Sequence, residues 1–246
     1  MKVLAIAGAL ALCFVPSACE TLPGDDLGAV LGDVLGGGAG DTSGLTVGEI
    51  DSGLRQALTL GTERVAGRIG LENGYFGDPQ IKIPLPGKLG ELQQTFDGVP
   101  FVSPLFDDLE LRMNRAAESA VPAARQIVVD AVSSITLEDA VGILRGGNTA
   151  ATDFLRARTE TNLRQTFTPF VDQALTESGA FRSLQSVVDA PGVNALVGDY
   201  RNDLTTHAVN LGLDGLFYYV AAEEQRIREN PVARTTDLLR KVFGSQ

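Results

Sequence analysis

The sequence predicts an all-α fold: a single bundle of six to eight helices carrying one extended, proline-containing segment at about residues 78–87. Three observations lead there. From residue 46 onward, apolar residues recur at intervals of three and four, the period of one helix face. Helix-start and helix-stop residues fall at the ends of these runs. Only the stretch IKIPLP alternates at period two, and its prolines bar it from a central strand.

The first 18 residues stand apart from this pattern. Lys2 supplies a positive charge, the apolar run from Val3 to Val15 is too short to span a bilayer, and the small residues Ser17 and Ala18 precede Cys19. Residues 1–18 therefore read as a signal peptide. A cysteine directly after small residues also resembles the bacterial lipoprotein signal, in which the new N-terminal cysteine carries acyl chains. Pro16 departs from that pattern, because an aliphatic residue usually stands there, and ordinary cleavage after Ser17 or Ala18 is the rival. Cys13 would leave with the leader, so ordinary cleavage would strand Cys19 as a lone thiol in an oxidising compartment, whereas acylation uses it. Cys19 is accordingly the expected lipidation site. Residues 19–45, rich in Gly and Asp without a sustained period, read as a flexible tether. The alternative is a marginal helix through Leu27, Val30, Leu31 and Val34, which the glycines oppose.

Residues 46–246 form the expected helical domain. Thr46 with Glu49 makes a capping box, and Ile50, Leu54, Ala57, Leu58, Gly61, Val65 and Ile69 define one face of a helix of about six turns. From Asn73 to Pro86, glycines and prolines break the period. Ile81, Ile83 and Leu85 alternate there, predicting an extended segment laid on the helices. A short helix over Leu89–Phe96 and a loop through Pro100 lead to the longest pattern, from Ser103 or Pro104 to about Val132. Its stripe is Leu105, Leu109, Met113, Ala116, Ala120, Ile127 and Ala131, with Pro122 as a kink. Thr136 with Asp139 opens the next helix, which Gly146 and Gly147 close. Asn148 is the expected cap of another, running to about Ser178 and bent at Pro169. Further helices are predicted at about 180–189, 201–229 and 231–243, the last with Pro231 at its first position.

Several phrases of the chain resemble one family: ALTLGTERV (57–65), DPQIKIPLPG (78–87), DDLELRMNRAAE (107–118), LDGLFYYVAAEEQRIRENP (213–231) and ARTTDLLRKVFG (233–244). They are similar to the bacterial family catalogued as domain of unknown function 4197, over about residues 45–244. The resemblance implies an exported proteobacterial protein, often with a lipoprotein-type signal. It implies no activity, and no catalytic residue can be carried over.

Composition excludes several classes. Twenty Lys and Arg against 31 Asp and Glu give a net charge of −11, which argues against nucleic acid and against electrostatic attachment to anionic lipid. No cysteine follows Cys19, so packing rather than a disulfide must hold the domain together. His207 is the single histidine, which excludes a zinc site or a cysteine–histidine pair for practical purposes. Asp203, one turn earlier, reads as its surface i,i+4 partner rather than as a triad member. The glycines at 36–38 and 146–147 lack the lysine and the strand-to-helix setting of a phosphate loop. No cofactor or metal is indicated.

Charged residues on apolar faces are the remaining signal. At about 100° per residue, Arg68 falls roughly 40° from the stripe of the first helix, and Arg158 shares the face of Phe154 and Leu155. Glu224 lies close to the stripe of Leu213, Leu216, Phe217 and Val220, with Glu223 at its edge. Arg112 and Glu110 flank the stripe of the long helix. All are expected to be partly buried and therefore paired. Three readings follow. The group is an internal Arg–Glu network that fixes helix register, an anion pocket in which Arg68, Arg112 and Arg158 fork onto a ligand, or a hydrolase using Glu223 or Glu224 as acid and base. Tyr218 and Tyr219 beside them read as core aromatics with satisfied hydroxyls. The resulting expectation is a lipid-anchored protein on the periplasmic side of the envelope, in the outer membrane rather than the inner. It would act as a scaffold or by binding a protein or small anionic ligand. A hydrolase acting on an envelope polymer is the alternative, and lipid carriage would need an apolar cavity.

Overall fold

Helix α1 (Val47–Ile69) carries Glu49 in its first turn and Arg68 in its last, charges that complement the helix dipole. Its predicted stripe is the buried face, with Leu54 and Ile69 at 1% and 0% exposure. The computed structural model describes residues 47–191, 193, 199–230, 233, 234, 236, 237, 240 and 242, all within the unit Ser43–Gln246. The leader, the tether, Cys19 and Thr46 lie outside the described residues, as does most of the helix expected at 231–243. Seven α-helices and no strand occur among the described residues. After α1 come α2 (Gly87–Thr95), α3 (Ser103–Ser133), α4 (Leu137–Arg145), α5 (Ala150–Glu177), α6 (Ala180–Val188) and α7 (Tyr200–Glu229).

The four long helices form a ring in which α1 packs on α3, α3 on α5, α5 on α7 and α7 back on α1. The short helices sit outside it, α2 and α6 against α3, and α4 against α1 and α5. Helix α3 also touches α7 and so is buried on more than one side. This corrects its expected stripe. Leu109, Met113, Ala116 and Ala120 are buried, but beyond Pro122 the buried line is Ala124, Val128 and Val132, with Ile127 and Ala131 only partly covered. Pro122 and Pro169 are exposed and lie inside helices that run on past them. Thr136 and Asp139 make the predicted capping box at α4. Helix α5 begins one residue later than expected, with Thr149 rather than Asn148 at its N-cap; the Asn148 side-chain amide donates to Glu229 Oε1 at 2.7 Å.

Between α1 and α2 the chain forms a strap over α3 and α7. Turns occupy most of 71–81, and the one continuous run free of turn or helix is 82–86, a shorter extended piece than 78–87. Ile81, Ile83 and Leu85 nevertheless alternate inward, at 5%, 0% and 5% exposure. Two glycines make room for this path. A Cβ on Gly74 would stand 2.3 Å from the Ile69 carbonyl oxygen, and one on Gly215 of α7 would stand 2.8 Å from the Tyr75 ring.

Candidate functional site

Polar side chains fasten the strap from both helices beneath it. Asn114 of α3 accepts from the Ile83 N–H at 2.9 Å and donates to the Ile83 carbonyl at 2.8 Å, taking the place of a neighbouring strand. Glu118, one turn on and 3% exposed, accepts from the backbone N–H groups of Tyr75 and Phe76 at 3.0 and 3.1 Å, and from Arg115 at 2.7 Å. The Tyr75 hydroxyl donates to the Gly212 carbonyl of α7 at 2.6 Å. Burial, with the Glu118 charge nearby, pushes that phenol well above the ordinary tyrosine range. His207 places Nε2 2.9 Å from the Pro84 carbonyl oxygen, a contact to the strap that replaces the expected one with Asp203.

Glu224 is a second interior anchor. Its carboxylate accepts from the backbone N–H of Ala151 at 2.9 Å, from the N–H and hydroxyl of Thr152 at 2.8 Å each, and from Arg228 at 3.0 Å. It therefore satisfies amides of the first turn of α5, which Asn148 leaves unfilled. Arginines serve the opposite helix ends. Arg228 donates to the Ile143 carbonyl in the last turn of α4 at 2.9 Å, and Arg234 donates to the Ile227 and Arg228 carbonyls of α7 at 3.1 and 2.8 Å. Arg112 reaches the Ser178 carbonyl at the end of α5, and Arg55 reaches the Ser133 and Ile135 carbonyls around the end of α3. Each fills a terminal carbonyl where the dipole favours a cation.

Among the described residues no ion pair joins Arg68, Arg112 or Arg158 to Glu110, Glu223 or Glu224, and of these arginines only Arg68 lines a common cleft with one of the glutamates, Glu223. Arg112 pairs with Asp108 at 2.7 Å, Arg158 with Asp139 at 3.4 Å and Arg68 with Asp78 at 3.2 Å. Glu110 takes Lys82 at 3.1 Å, and Glu224 takes Arg228. Arg68 and Arg158 are each 64% exposed rather than buried. An arginine head lies several bonds from its Cα, so a residue near an apolar stripe can lay its stem on the core and turn its charge outward. Arg158 does so over the Phe154 ring, at 5.2 Å from its centroid.

A cleft open to solvent lies between α1 and α7. Arg64 and Arg68, one turn apart on α1, and Tyr219, Glu223 and Arg226 on α7 line a cleft of about 330 Å³, together with Val65 and Ala222. Glu223 accepts from Arg64 at 2.9 Å and from both Nε and Nη2 of Arg226 at 2.8 and 2.6 Å. Partial burial alone would raise its pKa, but the Arg226 and Arg64 bonds outweigh it and hold the carboxyl below its ordinary value. Arg68 stacks on Tyr219, 4.3 Å from the ring centroid. The Tyr219 hydroxyl donates to Asp78 of the strap, and this bond, aided by the Gln80 amide and Arg68, holds Asp78 below the ordinary carboxylate range. Tyr219 is partly buried with its hydroxyl satisfied, while Tyr218 is 49% exposed rather than a core residue.

A separate, mostly apolar pocket bounded by Leu54, Leu58, Val220, Ile227 and Glu224 has about 20 Å³, room for a water and not for an acyl chain. Among the described residues, no group of three or more His, Cys, Asp or Glu side chains is placed to hold a metal, and no helix is long and apolar enough to cross a membrane.

Asn114, Arg115 and Glu118 were not singled out from sequence, although all three fall in the phrase DDLELRMNRAAE. The available signal was an Asn and a Glu one turn apart beside an alanine-rich apolar stripe. Arg64 and Arg226 had only ordinary surface patterning.

A family model described as a protein of unknown function, DUF4197, matches residues 44–244. No curated protein and no solved structure matches the chain. With that model covering well over half of its length, the chain belongs to the DUF4197 family.

Proposed function

We propose that this is an exported cell-envelope protein, anchored by lipid on Cys19, whose helical domain acts as a binding or scaffold module. One contrast carries the reading of the domain: its interior carboxylates are filled by donors, while an arginine-lined cleft opens to solvent. Glu224 accepts four hydrogen bonds from backbone, hydroxyl and guanidinium groups, so acid–base work would first require dismantling a helix cap. Glu223 does face the cleft, but two arginines hold it ionised, which makes it a poor general acid. These observations favour binding over the alternative, a hydrolase acting on an envelope polymer. The anchor is supported by the apolar run, Ala18 and Cys19.

Mass spectrometry of the mature protein tests the anchor. An acylated N-terminal cysteine is expected, with the protein in the outer-membrane fraction, and Cys19→Ala should move it to the soluble fraction. An unmodified N-terminus at Ala18 or Cys19 would remove the anchor from the reading. Incubating the purified protein with envelope polymers tests the domain: release of soluble fragments, lost in Glu223→Gln, would replace the binding module by the hydrolase.

A further inference from the structure

We infer that the cleft between α1 and α7 binds a phosphate-bearing ligand through Arg64, Arg68 and Arg226. The inference rests on the binding-module reading and deepens it by naming a ligand class. Arg64 and Arg68 stand on one wall and Arg226 on the other, around about 330 Å³ of open space. Their side chains are 37%, 64% and 46% exposed, so their heads remain within reach of an incoming molecule.

Sign and shape narrow the choice. The chain carries a net charge of −11, yet three guanidinium groups converge on this cleft, and a local field of that sign draws an anion. A carboxylate is already there. Glu223 takes Arg64 and Arg226, while Arg68 turns instead to Asp78. That planar carboxylate is thus taken up by the Arg226 fork and a single bond from Arg64. A tetrahedral phosphate presents more acceptor edges and can engage a third, in the paired geometry that guanidinium groups favour. Val65 and Ala222 in the lining offer the ligand's carbon skeleton apolar contact. Glu223 then acts as an internal competitor, released from Arg226 as the phosphate arrives. A soluble phosphomonoester and a phospholipid headgroup share this chemistry.

The test titrates purified, mature, full-length protein at constant ionic strength. The probes are inorganic phosphate, glycerol 3-phosphate, dihexanoyl phosphatidylglycerol below its micellar concentration, and acetate. Binding is read by calorimetry and phosphorus NMR. Saturable binding of a phosphate probe is expected, tighter than acetate by about tenfold or more, as loss of a charge-assisted bond implies. Arg68→Gln and Arg226→Gln should each weaken it by about tenfold on the same ground, with circular dichroism showing that each variant is still folded. Glu223→Gln should tighten it. Preference for glycerol 3-phosphate assigns a soluble ligand, and preference for the short-chain lipid assigns a headgroup. Acetate binding as tightly as phosphate, phosphate binding indifferent to both arginine variants, or no binding of any probe by the folded protein would each overturn the inference. The binding-module reading fails separately, by polymer turnover in the assay above.

Discussion

Glu224 of α7 closes the start of α5 by accepting both the backbone N–H and the hydroxyl of Thr152, each at 2.8 Å. Residues 72 positions apart thus complete one helix terminus. Glu224 and its partner Arg228 are each only 6% exposed. Glu224→Ala should therefore destabilise the domain by about 3–5 kcal/mol in urea denaturation, the range for breaking a buried pair. Adding Arg228→Met should recover part of the loss, because it removes the buried cation. Full additivity of the two changes would show that the pair is not coupled.

Asn114 supplies both hydrogen-bond partners of the Ile83 backbone. Asn114→Leu leaves a buried donor and a buried acceptor unfilled, each at about 1–3 kcal/mol. The strap should loosen before the bundle does. Hydrogen exchange at the Ile83 amide should accelerate more than exchange in α5, and equal acceleration in both would contradict a local role.

The two glycines of α7 should part company. A Cβ at Gly215 would meet Tyr75 at 2.8 Å and Ile81 at 3.0 Å, whereas at Gly212 the nearest contact is an ordinary 4.0 Å to Ala117. Gly215→Ala is expected to destabilise by about 1–3 kcal/mol through overpacking. Gly212→Ala should be neutral, or stabilising by up to about 1 kcal/mol from helix propensity. Paired thermal melts decide it, and a tolerated Gly215→Ala would mean that the strap yields easily.

The strap's attachment at Asp78 should respond to acid. Its carboxyl is held low chiefly by the Tyr219 hydroxyl, so the stabilising contribution is complete above the unfolded carboxyl's value, about 4, and is lost as the pH falls through the lower folded value. Tyr219→Phe should raise the Asp78 pKa towards normal and move the onset of loosening to higher pH. Carbon NMR titration of the Asp78 carboxyl measures this directly. An identical titration in wild type and variant would remove Tyr219 as the cause.

Helix order was legible because apolar spacing and cap residues act locally: Thr136 and Asp139 announce α4 three residues apart. The strap was legible for a similar reason, since Pro84 and Pro86 forbid a ladder whatever surrounds them. Its fastenings were not. The Ile83–Asn114 and Tyr75–Gly212 bonds join residues 31 and 137 positions apart, and no local period encodes such partners. The arginines misled for a different reason. Helical angles fix where a Cβ points, but Arg68 and Arg158 carry their charges far enough to leave the face they start from. Arg55, Arg112, Arg228 and Arg234 instead found helix-end carbonyls, acceptors that every sequence has and that spacing does not mark.

The way the strap is fastened also bears on how copies of the chain meet one another. An extended apolar piece such as IKIPLP would ordinarily offer another molecule a template for intermolecular β-pairing. Here the Ile83 N–H and C=O are both occupied by Asn114, the Pro84 carbonyl faces His207, and Pro84 and Pro86 have no N–H to offer. The bundle thus gains an extended element while withholding the groups on which an aggregate would grow.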